Sequence, residues 1–132
     1  KKRNMKDTSG KLVLIVEDEP VMRSLLGEIL AKKFEVHLEE NGKAALSWMY
    51  DGHVPDLVLA DLNMPEINGF EFIEHLRSSG FFMGLPVIVL SGEESSQERV
   101  NCFKIGANDY LIKPFNPEEL ILRIDNLLRL KM

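Results

Sequence analysis

Leu57 to Phe70, Leu-Val-Leu-Ala-Asp-Leu-Asn-Met-Pro-Glu-Ile-Asn-Gly-Phe, decides the fold. Its opening residues are apolar and strand-forming without a break, the pattern of a strand covered on both faces rather than the alternation of a half-exposed one. The run stops on one carboxylate, Asp61, and a loop carrying Pro65 and Gly69 follows. A single acid therefore stands at the carboxyl end of a buried strand. In open parallel sheets that edge is where loops converge and ligands bind. Read alone, such an acid also fits a helix cap or a solvated loop.

Outward from this stretch the same device recurs. Leu12 to Val16 is a second apolar run and ends on Glu17, Asp18 and Glu19; Pro86 to Leu90 ends on Ser91 and Gly92; Asp109 to Ile112 ends on Lys113 and Pro114. Glu35 to Leu38 is a shorter strand candidate. The spacing predicts a helix from Pro20 to about Lys33, with Met22, Leu25, Leu26, Ile29 and Leu30 along one face and Pro20 in the first turn, where its missing N–H costs nothing. Further helices are predicted near Lys43 to Tyr50 with Ala44, Ala45 and Trp48 inward, from beyond Gly69 to about Ser79, and from Glu93 to Ile105 with Val100, Phe103 and Ile105 as apolar positions. The last runs from Pro117 to the end, with Leu120, Ile121, Ile124, Leu127 and Leu128 on one side. Alternation of strand and helix implies a parallel sheet with helices on both faces, because each parallel crossover needs a helix and takes the right-handed route. The expected fold is a five-stranded, doubly wound, flavodoxin-like α/β domain over residues 11–132. Residues 1–10 read as a basic tail or linker, since Lys1, Lys2, Arg3, Lys6 and Lys11 stand against only Asp7 at the start of the chain.

The totals bound what the chain can be. At 132 residues it buries roughly two-thirds of its unfolded surface, enough for one core. A net charge of -5 argues against a general nucleic-acid surface, so no direct nucleic-acid binding by this chain is expected. No apolar run approaches the ~20 residues of a membrane span. Cys102 is the only cysteine, which excludes an internal disulfide and suits a reducing cytoplasm. His37, His53 and His75 have no Cys or acid partners at zinc-ligand spacing.

In a parallel sheet all the carboxyl ends lie on one edge, so Glu17, Asp18, Asp61, Ser91 and Lys113 should converge there. Two like charges ~5 Å apart repel by roughly 3 kcal/mol at an effective dielectric near 20, so three carboxylates require positive charge. Lys113 offsets part of it. An acid-rich oxygen site of this kind suits Mg²⁺, which takes one or two carboxylates and keeps several waters, and Glu17, Asp18 and Asp61 are assigned to that ion. A carboxylate beside Mg²⁺ and a lysine can attack a phosphoryl group and form an aspartyl phosphate, with the Ser91 hydroxyl donating to the transferred oxygens. A turnover phosphohydrolase would want a second acid two residues after Asp61, where Asn63 stands. A flavodoxin-type cofactor site would want a phosphate-cradling loop after the first strand, where Glu17, Asp18 and Glu19 would repel phosphate. Glu19 reads as a helix-start acid rather than a ligand and Glu66 as solvated. Phe81, Phe82 and Met83 either fold under the sheet or form a contact patch.

Four motifs in this order carry a resemblance: Val-Glu-Asp-Glu-Pro at 16–20, Asp-Leu-Asn-Met-Pro-Glu-Ile-Asn-Gly at 61–69, Leu-Ser-Gly at 90–92 and Gly-Ala-Asn-Asp-Tyr-Leu-Ile-Lys-Pro-Phe at 106–115. The chain resembles the receiver domain of two-component response regulators, the CheY-like fold, from about Lys11 to Arg129. The resemblance implies that Asp61 accepts a phosphoryl group from a sensor histidine kinase or histidine phosphotransfer protein. It further implies that Glu17, Asp18 and the backbone carbonyl of Asn63 join Asp61 around Mg²⁺, that Lys113 binds the phosphoryl oxygens, and that Ser91 and Tyr110 form a switch pair, in which Ser91 moving toward the phosphoryl group is expected to let Tyr110 turn inward. The Lys113–Pro114 bond is expected to be cis. Such a domain is a phosphorylated signalling module rather than a turnover enzyme, and it promotes its own phosphorylation and dephosphorylation. The surface of the last two helices and last strand would then control an output domain or partner protein, or form a homodimer, in the cytoplasm and away from any membrane. Two positions depart from the family's commoner residues: Glu17 stands for Asp and lengthens the reach by one methylene, and Ser91 stands for Thr and keeps the hydroxyl.

Overall fold

Strand and helix alternate through the chain as β1 (Leu12–Val16), α1 (Pro20–Ala31), β2 (Glu35–Glu39), α2 (Gly42–Tyr50), β3 (Leu57–Asp61), α3 (Gly69–Ser78), β4 (Val87–Ser91), α4 (Ser96–Lys104), β5 (Asp109–Ile112) and α5 (Pro117–Lys131). The computed structural model describes residues 7–64, 66–92 and 95–131; Lys1, Lys2, Arg3 and Lys6 of the basic start lie outside the described residues. The strands form one parallel sheet in the order β2-β1-β3-β4-β5. This is the doubly wound, flavodoxin-like arrangement read from the alternation.

The three central strands are apolar because both of their faces are covered. Val13, Ile15, Leu57, Leu59, Ile88 and Leu90 face α1 and α5, where Leu26, Leu30, Leu120, Ile124 and Leu128 meet them. The intervening residues Leu14, Val16, Val58, Ala60, Val87 and Val89 face the other way, onto Ala45, Leu46, Met49, Phe72, Ile73, Leu76 and Cys102. Side chains of this kind contribute roughly 1.5–3 kcal/mol each when fully buried. The edge strand β2 carries Glu35, His37 and Glu39 and is only partly covered.

Several helix faces turn out differently from their expected ones. In α2 the buried positions are Gly42, Ala45, Leu46 and Met49, a regular stripe of one helix face. Trp48 is partly buried, packed against the core beside that stripe and stacked between His37 at 3.9 Å and His53 at 4.6 Å. Helix α1 ends at Ala31 and leaves Leu25 turned toward solvent. Helix α4 begins at Ser96, and its inward residue is Cys102, while Val100 and Phe103 are each 45% exposed. Phe82 is buried in the core, whereas Phe81 and Met83 beside it are exposed.

The amino edge of the sheet is closed by Asp125 of α5, which accepts hydrogen bonds from the Thr8 hydroxyl, from Lys33 at 2.7 Å and from Arg129 at 2.9 Å. The Gly10 N–H donates to the Lys33 carbonyl at 3.0 Å, so the segment just before β1 packs against the domain. No helix among the described residues is long and apolar enough to cross a membrane.

Candidate functional site

Register brings the acids together. Val16 of β1 lies opposite Ala60 of β3, so the next residue of each chain, Glu17 and Asp61, stands level at the carboxyl edge. Glu17, Asp18 and Asp61 each present an oxygen, all within 4.8 Å of one another. Glu17 and Asp61 are buried, at 1% and 6% exposure, and Asp18 is open to solvent. From the end of β5, the Lys113 ammonium reaches Glu17 Oε1 at 3.3 Å and Asp61 Oδ2 at 3.4 Å. The backbone N–H of Asn63 donates to Asp61 Oδ1 at 3.4 Å.

Local structure holds each loop in place. Glu19 is the N-cap of α1 and accepts from the Met22 N–H at 2.7 Å, its expected helix-start role. Its own N–H donates to Glu17 Oε2 at 3.1 Å. Arg23, one turn into α1, reaches back to the carbonyl of Glu17 at 2.9 Å and to that of Asp18 at 3.3 Å, fixing the path of the loop. After Asp61 the chain folds back so closely that a side chain at Gly69 would put a carbon 2.7 Å from the Leu62 Cα and 3.0 Å from the Asp61 carbonyl oxygen. Only glycine permits α3 to start there. Asn68 caps that helix and pairs reciprocally with Glu71. Glu66 in this loop is exposed.

Glu17 and Asp61 share the Lys113 ammonium, with the Asp18 carboxylate close by. Burial pushes the Glu17 carboxyl up to about 7; the Glu19 N–H opposes this, the charge of Asp61 adds to it, and Lys113 offsets part. The donor set is all oxygen, with two carboxylates buried and one open to water. That chemistry fits a hard divalent cation that keeps part of its hydration.

Ser91 closes β4 with its side chain fully buried, and the Lys113 N–H donates to its carbonyl at 2.7 Å. The Ser91 hydroxyl donates to Glu98 Oε1 at 2.7 Å, and the Tyr110 hydroxyl donates to the same oxygen at 2.6 Å. Tyr110 is thus already turned inward, at 6% exposure, with Arg99 above its ring at 5.9 Å. The Lys113–Pro114 bond is cis.

Glu17, Asp18, Asp61 and Lys113 meet at this edge, while Ser91 ends the neighbouring strand with its hydroxyl on Glu98, beside Tyr110. Two contributors escaped the sequence reading. Arg23 acts on backbone carbonyls, which carry no sequence signal. Glu98 follows Ser95 in a Ser-x-x-Glu pattern, which reads as a capping box; the cap half is present, with the Glu98 N–H donating to Ser95 Oγ at 3.1 Å. The carboxylate, however, turns to Ser91 and Tyr110.

Known proteins similar to this chain point to one family. The alkaline phosphatase synthesis transcriptional regulatory protein SphR of Synechococcus elongatus is 38% identical over 126 residues, covering 89% of this chain and 48% of that protein. The sensor histidine kinase TmoS of Ectopseudomonas mendocina is 36% identical over 120 residues, covering 91% of this chain and 12% of the kinase. The chain therefore spans half or less of these relatives. Among solved structures, the Vibrio cholerae chemotaxis protein CheY4 superposes with a TM-score of 0.83 at 29% identity, covering 89% of this chain and 98% of that one. The profile of the response regulator receiver domain matches residues 13–125, and the chain belongs to that family.

Proposed function

We propose that the chain is a phosphoacceptor: Asp61 takes a phosphoryl group from a histidine kinase or phosphotransfer protein, and the phosphorylated domain controls an output domain or partner. The observation that carries this reading is the Lys113 ammonium, held between the buried carboxylates of Glu17 and Asp61 at the ends of separate strands. The relatives that share this domain include both a transcriptional regulator and a sensor kinase, which supports the kind of partner.

In the transfer, a carboxylate oxygen of Asp61 attacks phosphorus. A new O–P bond forms while the bond from phosphorus to the donor's imidazole nitrogen breaks, and its electron pair leaves with that nitrogen. Asp61 is held for this by the Asn63 N–H and Lys113. Lys113 then neutralises charge on the transferred oxygens, and the Ser91 hydroxyl donates to one of them once it leaves Glu98. Glu17, Asp18, Asp61 and the Asn63 backbone carbonyl are the residues that would hold Mg²⁺, which supplies further positive charge to the phosphoryl oxygens when bound. Later attack of water on the aspartyl phosphate resets the domain, so the chain works as a timed switch and not as a turnover enzyme.

Phosphorylation adds about -1.5 to -2 charges beside Ser91 and Lys113. The affected surface is that of α4, β5 and α5, where Val100, Phe103 and Leu122 are exposed apolar side chains suited to a partner or a second copy. The cytoplasm, where kinase and donor phosphohistidine reside, is the compartment this function requires. Intact mass after incubation with Mg²⁺ and a small acyl phosphate tests the assignment. A gain of one phosphoryl unit (~80 Da), lost in Asp61→Asn and in a metal-chelated control, is the expected result; a gain that survives Asp61→Asn overturns it.

A further inference from the structure

Ser91 has one hydroxyl hydrogen, and the charged acceptor it meets in this structure is Glu98 Oε1 at 2.7 Å, with the Tyr110 hydroxyl as a further hydrogen-bond partner of Ser91. The phosphoryl group on Asp61 would need the same hydrogen. A buried Ser91 cannot serve both acceptors at once, so the two compete.

Glu98 is well placed to win in the resting state. Its Oε1 accepts from Ser91 at 2.7 Å and from Tyr110 at 2.6 Å, the short distances of hydroxyl donors on a charged acceptor. Both donors are buried, which strengthens such bonds. The Tyr110 phenol is pushed up to about 12, first by burial and then by its bond to Glu98, so it remains a donor throughout the ordinary pH range. At the corresponding position of α3, Glu71 reaches back to its own N-cap. Glu98 gives that up to reach across to β4 and β5.

We infer that Glu98 is the latch of the phosphoryl switch, a positioning residue that withholds the Ser91 hydroxyl from Asp61 and pins Tyr110 inward, tying α4 to the ends of β4 and β5 until a phosphoryl group takes Ser91 away. This rests on the phosphoacceptor reading of Asp61 and deepens it. Tyr110 is inward before phosphorylation, so the change transmitted to the surface is the release of α4 from Ser91 and not an inward swing of the tyrosine.

The test compares wild type, Glu98→Gln and Glu98→Ala, each with Ser91 and again with Ser91→Ala, for the fraction phosphorylated by Mg²⁺ and a small acyl phosphate, read by intact mass. Loss of one charge-assisted hydrogen bond predicts a rise of about tenfold in the ratio of phosphorylated to free protein for Glu98→Gln. Glu98→Ala should raise it at least as far. In the Ser91→Ala background both substitutions should change the ratio by less than about twofold, because the latch acts through that hydroxyl. A merely structural role for Glu98 would act equally in both backgrounds. Phosphorylated wild type matched by Glu98→Gln overturns the latch alone, as does an equal gain with and without Ser91. Wild type that takes up no phosphoryl group overturns the phosphoacceptor reading and the latch with it.

Discussion

The two edges of the sheet each bury an acid and treat it in opposite ways. At the amino edge, burial alone would raise the Asp125 carboxyl. The hydrogen bonds from Lys33 and Thr8 and the charges of Lys33 and Arg129 outweigh it and hold the group below the usual carboxylate range. At the carboxyl edge, Glu17 is as deeply buried, and burial, with the charge of Asp61 added, pushes it up to about 7 although it shares Lys113 with Asp61; Asp18 lies beside them. One acid with two cations makes a rivet. Three acids with one cation make a place where a further cation is favoured and where charge can be read out as function.

The sharpest way to break this contrast is to remove one acid from each edge. Asp61→Asn should lower phosphoryl uptake from an acyl phosphate by at least ~100-fold, since it removes the proposed nucleophile. Asp125→Asn should leave uptake within about twofold, measured by intact mass at a temperature where the variant is folded. Equal loss in both would mean that the edges are not separable.

Stability should respond the other way round. Asp125→Ala breaks a buried ion pair and orphans the Thr8 hydroxyl, at a cost of about 3 kcal/mol, and should lower the thermal midpoint by roughly 10 °C. Asp61→Asn relieves repulsion and should leave the midpoint of the metal-free protein unchanged or higher. A midpoint that falls in Asp61→Asn as far as in Asp125→Ala would show that the carboxyl edge is a rivet too.

The pH dependence separates the edges by sign. Glu17 has a raised folded pKa, so between its ordinary value of 4.5 and about 7 the folded state holds a proton that the unfolded chain has released. Metal-free stability should therefore fall as pH rises through that window, by on the order of 2 kcal/mol. Asp125 has a lowered folded pKa, so its contribution is fully present above its ordinary 3.8 and is lost as pH falls below that value. Thermal midpoints measured across pH should lose the first slope in Glu17→Gln and the second in Asp125→Asn. A wild-type profile flat between pH 4.5 and 7 would remove the electrostatic argument for the site.

The smallest effect expected is that of the metal. At tenfold above its dissociation constant, Mg²⁺ should stabilise the wild type by about 1.4 kcal/mol at pH 8. Asp125→Asn should show the same increment and Glu17→Gln a reduced one, read as midpoint shifts on titration. An undiminished increment in Asp61→Asn would place the cation elsewhere.

The sequence by itself determined the sheet and the converging edge. Unbroken apolar runs ending on Glu17, Asp61, Ser91 and Lys113 are a local signal: a strand covered on both faces must be apolar until it leaves the sheet, and the first polar residue marks where it does. Helical stripes in α1, α3 and α5 are local for the same reason. The tertiary structure alone decided which way Leu25 and Val100 face, that Glu98 leaves its cap for Ser91 and Tyr110, and that Thr8 and Lys33 meet Asp125 from 117 and 92 residues away. Periodicity arises between neighbours in the chain, whereas a buried polar group takes whichever partner packing brings within reach, and that choice belongs to the whole fold.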